Sequence, residues 1–451
     1  MTAPADQNGP APIPDVDRPP PPTGPAGASA DARARELVEH FFRHESARLV
    51  ASLTRRLGVR RWELAEDVAQ SALQRALSSW SLRGVPPNPA AWLHRVAYNL
   101  ALDALRRDLR WSSLDLGSAE VVWPVTNAAV AAPEEGELQD DLLRMLFVCC
   151  DPAVPEESQV ALCLKTLCGF STQEIARALL TTEGNVAKRI TRAKERLRGE
   201  GLDPSALSPD DSRRRLPTVQ SVLYLMFNEG YSSSLPERVI REELCEEATR
   251  LAMILAEHPL TAGPSTAAFL SLLLFHAARL EERVDASGNL SLLEQQDRGR
   301  WDPRLLAEAY RWFGRATQGS IMTRYHAEAW IAAEHCRAPD CERTDWSRIV
   351  HAYDLLLRLA PSPIHELNRA IAVGRRDGPA AGLDALSQIP ADRIPQHYHL
   401  WHATRAEFAR LAGDLATARD CLERARDLAP TNAEQALLDR RLSSLRDQWD
   451  E

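Results

Sequence analysis

Lysine is nearly absent. Lys165, Lys188 and Lys194 are the only three in 451 residues, so arginine carries almost all of the positive charge. Long hydrophobic runs are missing too. The most apolar short segment, Phe269–Phe275, falls far short of the roughly 20 residues that a bilayer crossing needs. The first residues, Met1, Thr2, Ala3 and Pro4, offer neither a basic flank nor an apolar stretch. This argues against a secretory signal and for a cytoplasmic protein with no membrane partner. Eight cysteines occur without a C-x-x-C pair, so a disulfide framework is not expected. Cys149, Cys150, Cys163 and Cys168 could in principle hold zinc, but they lie in apolar helical sequence, which favours buried thiols. His397, His399 and His402 surround Trp401; packed or solvated histidines are favoured there over a metal site. There is no Walker loop, no G-x-S-x-G and no H-E-x-x-H, so the reading is no enzyme, no metal and no cofactor. Strand signals are scarce as well. Alanine, leucine, arginine and glutamate dominate, with apolar residues three and four apart, which predicts an all-α protein.

What is present is uneven. Hydrophobic residues make up 44% and charged residues 26%, which excludes collagen-like and wholly disordered classes. The net charge of −9 argues against a nucleic-acid partner until it is divided along the chain. Residues 31–110 carry +5 and residues 156–198 carry +3, whereas 111–155 carry −7 and 199–451 carry −8. Two basic patches in an acidic chain are what steers a polyanion.

Composition breaks suggest the organisation. Residues 1–30 are rich in proline and poor in bulky apolar residues, as a disordered arm would be. Helical blocks occupy 31–110 and 139–200, separated by an acidic linker at 111–138. A second linker is expected at 201–216, marked by Pro204, Pro209 and the pair Asp210 and Asp211. A helical connecting domain is read over 217–320, with the apolar string Tyr224–Tyr231 as a buried helix. Residues 321–451 read as a TPR-like helical array. Pro361, Pro395 and Pro430 recur at the period of a helix–turn–helix solenoid, and Gly413 with Asp414 marks one turn. A generic helical array is the alternative.

Phe170–Arg198 reads as a helix-turn-helix. Ser171 with Glu174 forms a capping box, and Phe170 with Ile175 a hydrophobic staple. After a break at Leu180 and Thr181, Thr182 caps a second helix. That helix places Val186, Ile190, Ala193 and Leu197 on one apolar face. Asn185, Lys188, Arg189, Thr191, Arg192 and Arg196 fall on its other faces and suit a DNA major groove.

The first block narrows the class. It holds a helix containing Glu66, Asp67, Gln70 and Arg75, then Asn88 and Pro89 as a helix start. Trp92, Leu93, Arg95, Ala97, Asn99, Asp103, Arg106 and Arg107 come next at fixed spacing. This string resembles region 2 of bacterial sigma factors of the extracytoplasmic-function (ECF) group, and Phe170–Arg198 resembles their region 4. Two departures are Leu180, where glycine is common, and Asn185, where threonine is common. Leu223–Tyr231 and Leu293–Asp302 are similar to strings of the ECF subgroup that carries a C-terminal TPR-like extension.

The resemblance implies a sigma region 2 bundle, a region 4 helix-turn-helix domain and a regulatory helical extension acting in cis. It implies RNA polymerase core as partner, through the β′ clamp helices and β flap, together with promoter DNA. It assigns Glu66, Asp67, Gln70 and Arg75 to the polymerase. It gives Arg95, Asn99, Arg106, Arg107 and Arg110 to the −10 element, and the Asn185–Arg196 set to the −35 element. Physically, arginine neutralises phosphate and asparagine can bond a base edge. The acidic linker could thread the polymerase's RNA path or be a plain solvated connection. The extension could cover the basic faces or bind a protein partner. The competing class is a helix-turn-helix activator with a TPR-type sensor, which has no need of a polymerase-binding helix.

Overall fold

The computed structural model describes residues 45–112, 140–200, 208–235, 238–285, 288–390, 393–394 and 398–450. All but Glu45 fall in one unit, Ser46–Glu451. The arm at 1–30 and the acidic linker lie outside the described residues, apart from the linker's first two positions, which complete a helix. The described residues form helices and no sheet strand; a single isolated bridge joins Val284 and Leu290.

Among the described residues a first helix, α1, covers 45–57. It leads into the antiparallel pair α2 (Trp62–Arg83) and α3 (Pro89–Ser112). Their seam is built from small and apolar residues at helical spacing: Ala65, Ala69, Ala72 and Ala76 on α2, and Leu93, Ala97, Ala101 and Leu105 on α3. Asn88 caps α3 by accepting from the Ala91 N–H at 3.0 Å, as the Asn-Pro pair predicts.

Four short helices come next: α4 (Asp141–Cys149), α5 (Glu156–Thr166), α6 (Thr172–Ala178) and α7 (Glu183–Glu200). In α4 every residue from Leu142 to Cys149 is buried, and in α5 every residue from Ser158 to Leu164. A helix buried all round needs neighbours on every side. Part of that cover is α7 and part comes from beyond residue 208, where α8 (Pro209–Tyr231) packs on both helices and α9 (Glu242–Glu257), α10 (Pro264–Ala277), α11 (Pro303–Ala316) and α12 (Arg324–Arg337) extend the same core. Leu143, Phe147 and Leu162 share one hydrophobic core with Val219, Leu223, Phe227, Leu251 and Phe269.

The linker expected at 201–216 is therefore corrected from residue 209 onward. Ser208 caps α8 by accepting from the Asp211 N–H at 3.1 Å, and Pro209 occupies the first turn. Asp210 and Asp211 are the acidic start of a helix, favoured by its dipole, rather than a break. Residues 201–207 lie outside the described residues. The string Tyr224–Tyr231 ends α8, with Met226, Phe227, Glu229 and Gly230 buried.

The remaining helices are α13 (Trp346–Leu359), α14 (Pro363–Asp377), α15 (Pro379–Ser387), α16 (His399–Leu411), α17 (Leu415–Leu428) and α18 (Asn432–Asp450). They stack as successive pairs with small separate cores. One is built on Ile349, Leu356 and Val373, a second on Leu367, Leu386 and Phe408, and a third on Ala418, Leu422 and Leu442. A chain of local cores is the packing of a helical array. The turn at Gly413 and Asp414 falls where the sequence places it, with Asp414 capping α17. At Gly374 a Cβ would lie 2.3 Å from the Phe408 ring, so glycine is what lets α14 and α16 close on each other.

Candidate polymerase and nucleic-acid interfaces

The apolar period of α2 leaves Asp67, Gln70 and Arg75 exposed. Glu66, one turn from Gln70, behaves differently. The Lys194 ammonium reaches both of its carboxylate oxygens at 2.7 Å, and Trp62 Nε1 donates to one of them at 3.0 Å. Arg198 pairs with Glu63 along the same edge. The N-terminal half of α2 is thus bound to α7 through two ion pairs at matching helical spacing.

On α3, Arg95, Asn99, Arg106 and Arg107 are exposed, opposite the Leu93–Leu105 seam. Asp103 steadies two of them: its carboxylate lies 3.7 Å from Arg106, and its carbonyl accepts from Arg107 Nε at 3.3 Å. Arg110 continues the helix, but its side chain lies outside the described residues. Trp92 is half-buried and meets Trp80 edge-on at 5.6 Å, which makes it part of the α2–α3 seam. Tyr98 lies beneath the Arg56 guanidinium at 5.5 Å.

The helix-turn-helix matches its sequence signals closely. The Ser171 hydroxyl accepts from the Glu174 N–H at 3.1 Å, and Glu174 accepts from the Ser171 N–H at 2.6 Å, closing the capping box. Val186, Ile190, Ala193 and Leu197 are all buried. Leu180 holds the left-handed conformation, φ 49°, that the turn requires. Without glycine this costs about 1–2 kcal/mol.

The polar faces of α7 divide in three. Asn185, Lys188, Arg192 and Arg196 form one exposed stripe, three or four residues apart. Lys194 and Arg198 form the flank bound to α2. Arg189 is half-buried and paired with Glu157 of α5, and the Thr191 hydroxyl donates back to the Ala187 carbonyl at 3.1 Å. Arg189, predicted to face DNA, is thus engaged inside the region itself, whereas Thr191 stays exposed on α7.

Sequence reasoning missed the contacts that fasten the extension to this region. Arg241, 1% exposed, donates to Glu174 at 2.7 Å and lies 3.6 Å from Glu229. Glu174 is therefore a helix cap and a buried counter-charge at once. Arg177 donates to the Ser234 carbonyl at 2.5 Å. Arg215, also buried, bonds Asp151 at 2.6 Å and the Phe147 carbonyl at 3.0 Å. Within the extension, Gly230 lets the end of α8 close on the turn that carries Arg241, because a Cβ there would lie 2.8 Å from the Arg241 carbonyl. Arg48 of α1 pairs with Glu247 of α9 at 3.3 Å. Asp140 and Asp141, the acidic pair that opens α4, are held by Arg250 and Arg55 at 2.9 and 2.8 Å. Among the described residues the extension leaves the α7 stripe of Asn185, Lys188, Arg192 and Arg196 exposed.

Cys149, Cys150, Cys163 and Cys168 are all buried, with Cys150 and Cys163 sulfurs 3.9 Å apart. Burial pushes the Cys150, Cys163 and Cys168 thiols well above their usual range. His399 turns toward Glu434 at 3.5 Å, and His397 lies outside the described residues. Among the described residues no helix is long and apolar enough to cross a membrane.

Comparison with known families agrees with this geometry. Residues 43–111 match the Sigma-70 region 2 family, and residues 147–197 match Sigma-70, region 4. Residues 215–317 match a family of unknown function, DUF6596. The chain is 38% identical over 378 residues to the uncharacterized protein R00370 of Rhizobium meliloti, covering 84% of this chain and 88% of that protein. It is 29% identical over 165 residues to the ECF RNA polymerase sigma factor SigM of Mycobacterium tuberculosis, covering 36% of this chain and 76% of SigM. It is 31% identical over 142 residues to the probable RNA polymerase sigma factor RfaY of Xanthomonas campestris pv. campestris, covering 31% of this chain and 34% of RfaY. No solved structure matches. Regions 2 and 4 stand in order, each with its apolar seam buried, and the chain therefore belongs to the ECF-type sigma factors of RNA polymerase, with a helical extension that begins in a domain of unknown function.

Proposed function

We propose that this sigma factor binds core polymerase through the exposed face of α2, reads the −10 element with α3 and the −35 element with α7, and is regulated in cis by its extension. Asp67, Gln70 and Arg75 meet the β′ clamp helices. Arg95, Asn99, Arg106, Arg107 and Arg110 meet the −10 DNA, and region 4 meets the β flap. The −35 readers are Asn185, Lys188, Arg192 and Arg196, with Arg189 and Thr191 supporting the helix that carries them. The acidic residues of 111–138 thread the transcript path.

The observation that carries the regulatory part is the double ion pair between α2 and α7. Glu66 belongs to the set assigned to polymerase, yet Lys194 occupies it. Core polymerase and Lys194 compete for one carboxylate. The extension favours Lys194, because it grips region 4 through Arg241 and region 2 through Arg48. Both Glu66 and Lys194 are partly shielded from solvent, so salt screens this pair less than a surface one.

The experiment is run-off transcription by core enzyme with the full-length chain. Asp67→Arg with Gln70→Ala is expected to abolish co-purification with core polymerase and leave helicity by circular dichroism unchanged, since both side chains are exposed. Retained co-purification would remove α2 from the polymerase interface.

Arg192→Ala is expected to weaken promoter binding by about 1–3 kcal/mol if the guanidinium bonds a base, and to relax preference at that base pair alone. A phosphate contact would instead lower affinity evenly across sequences. Normal initiation at the cognate promoter would remove the exposed stripe of α7 from −35 recognition.

A further inference from the structure

Where α8 and α10 meet α12, three arginines surround two aromatic rings. Arg279 lies just beyond α10, Arg283 ends the short turn Glu281–Arg283, and Arg298 opens the turn Arg298–Arg300. The Arg283 guanidinium lies 4.0 Å from the Tyr231 ring centre and that of Arg279 lies 6.0 Å from it. Arg279 and Arg298 lie 5.3 and 5.4 Å from the Trp301 ring centre. His276 meets Tyr231 edge-on at 5.2 Å. Arg279 and Arg298 are more than nine-tenths buried and Trp301 is 2% exposed.

The acceptors that Arg279 and Arg298 reach are neutral: the Tyr231 hydroxyl at 2.7 Å, and the His335 and Ala338 carbonyls at 2.7 and 3.1 Å. Arg279 Nε, Arg283 Nε, Arg298 Nη2 and Trp301 Nε1 are buried donors with no partner. The Nδ1 atoms of His276 and His335 are buried and unpartnered as well. Burial with Arg279 and Arg283 lowers His276, and burial with Arg279 and Arg298 pushes His335 down to about 3. Burial is the larger cause for both imidazoles, and the arginines add to it. Buried charges left uncompensated are strongly destabilising, so an anion that pairs with them in the folded chain stabilises it.

We infer that this cluster is a binding site for a small phosphate-bearing anion, seated on the free N–H groups of Arg279, Arg283 and Arg298 and on the Trp301 indole. Guanidinium forks match tetrahedral phosphate oxygens, and three guanidiniums gathered around the Tyr231 and Trp301 rings suit a doubly charged group better than a single carboxylate. The rings of Tyr231 and Trp301 already carry guanidiniums on their faces, so the site receives the anionic group itself. The site joins the two strings that no sigma function uses: Tyr231 ends the first, and Arg298 and Trp301 belong to the second. It lies within the domain of unknown function, with α12 as its far wall. It uses no residue assigned to polymerase or DNA, so it stands or falls independently of those assignments.

The test is calorimetric titration and thermal unfolding of the full-length chain in inorganic phosphate against chloride at matched ionic strength. Saturable binding and a raised unfolding temperature in phosphate are expected. Arg283→Gln is expected to weaken phosphate binding about 10- to 100-fold, the loss of one charge-assisted hydrogen bond. Arg283→Lys keeps the charge without the fork and falls between. Arg300→Gln, on the neighbouring turn but 70% exposed and paired with Glu282, retains wild-type binding. A nucleoside monophosphate and a sugar phosphate, titrated in parallel, identify the source. Tighter binding than inorganic phosphate assigns the site to an organic phosphate, and equal binding assigns it to the free ion. Equal stability in phosphate and chloride overturns the proposal, as does phosphate binding that neither Arg283 variant changes.

Discussion

A chain ended at residue 205 is expected to lose cooperative folding of region 4, not to yield a freed sigma factor. Residues of α4 and α5 are buried on all sides, and part of that cover is α8. Truncation strips Val219, Val222, Leu223, Met226 and Phe227 from the shared core. It also leaves Asp151 buried without the Arg215 guanidinium. Each buried aliphatic or aromatic side chain contributes about 1.5–3 kcal/mol, so about five of them match the whole stability of an ordinary domain, about 5–15 kcal/mol. The fragment should bind a hydrophobic dye, give a broad melt and associate on size-exclusion chromatography. A sharp, reversible melt from monomeric 1–205 would show that region 4 folds without the extension. This constrains any regulatory test. A several-fold change in promoter output on deleting 206–451 reports misfolding unless the fragment passes that check, so point changes in the docking contacts are the cleaner probe.

The second large effect is expected at Arg241. Arg241→Met leaves Glu174 and Glu229 buried with no cation between them. Breaking a buried pair from one side costs about 3–5 kcal/mol. Urea unfolding at neutral pH measures it. The deficit should shrink on acidification, with a definite sign. Burial already raises the folded-state Glu229 carboxyl above its usual value, while Ser234 and Arg241 pull it back. Removing Arg241 raises it further, so the folded variant holds more protons than its unfolded chain above pH 4.5, and its stability rises as pH falls into that window. Adding Glu174→Gln should recover part of the loss, because the two residues interact directly. A deficit below about 1 kcal/mol would mean that Arg241 does not hold the extension to the helix-turn-helix.

Much of this was legible from residues alone, for local reasons. The capping box at Ser171 and Glu174, the Asn88 cap and the buried stripe Val186–Leu197 are set by spacings of three or four residues, and all appear as read. Asp210 and Asp211 read as part of a linker but open α8, because the same acidic pair opens a helix or marks a break according to whether the next turns of chain are packed.

Helical periodicity decided the secondary structure and which side chains share a face, because both depend on neighbours within one or two turns. It could not name partners. Lys194 and Glu66 are 128 residues apart and Arg241 and Glu174 are 67 apart, and no local pattern distinguishes such a lysine or arginine from its solvated neighbours on the same helix. Nor could it show that Arg279, Arg283 and Arg298 converge, since each alone reads as an ordinary charged turn residue. Those choices belong to the tertiary structure, because a charge finds its counter-charge, or fails to, only after the apolar faces have fixed how the helices pack.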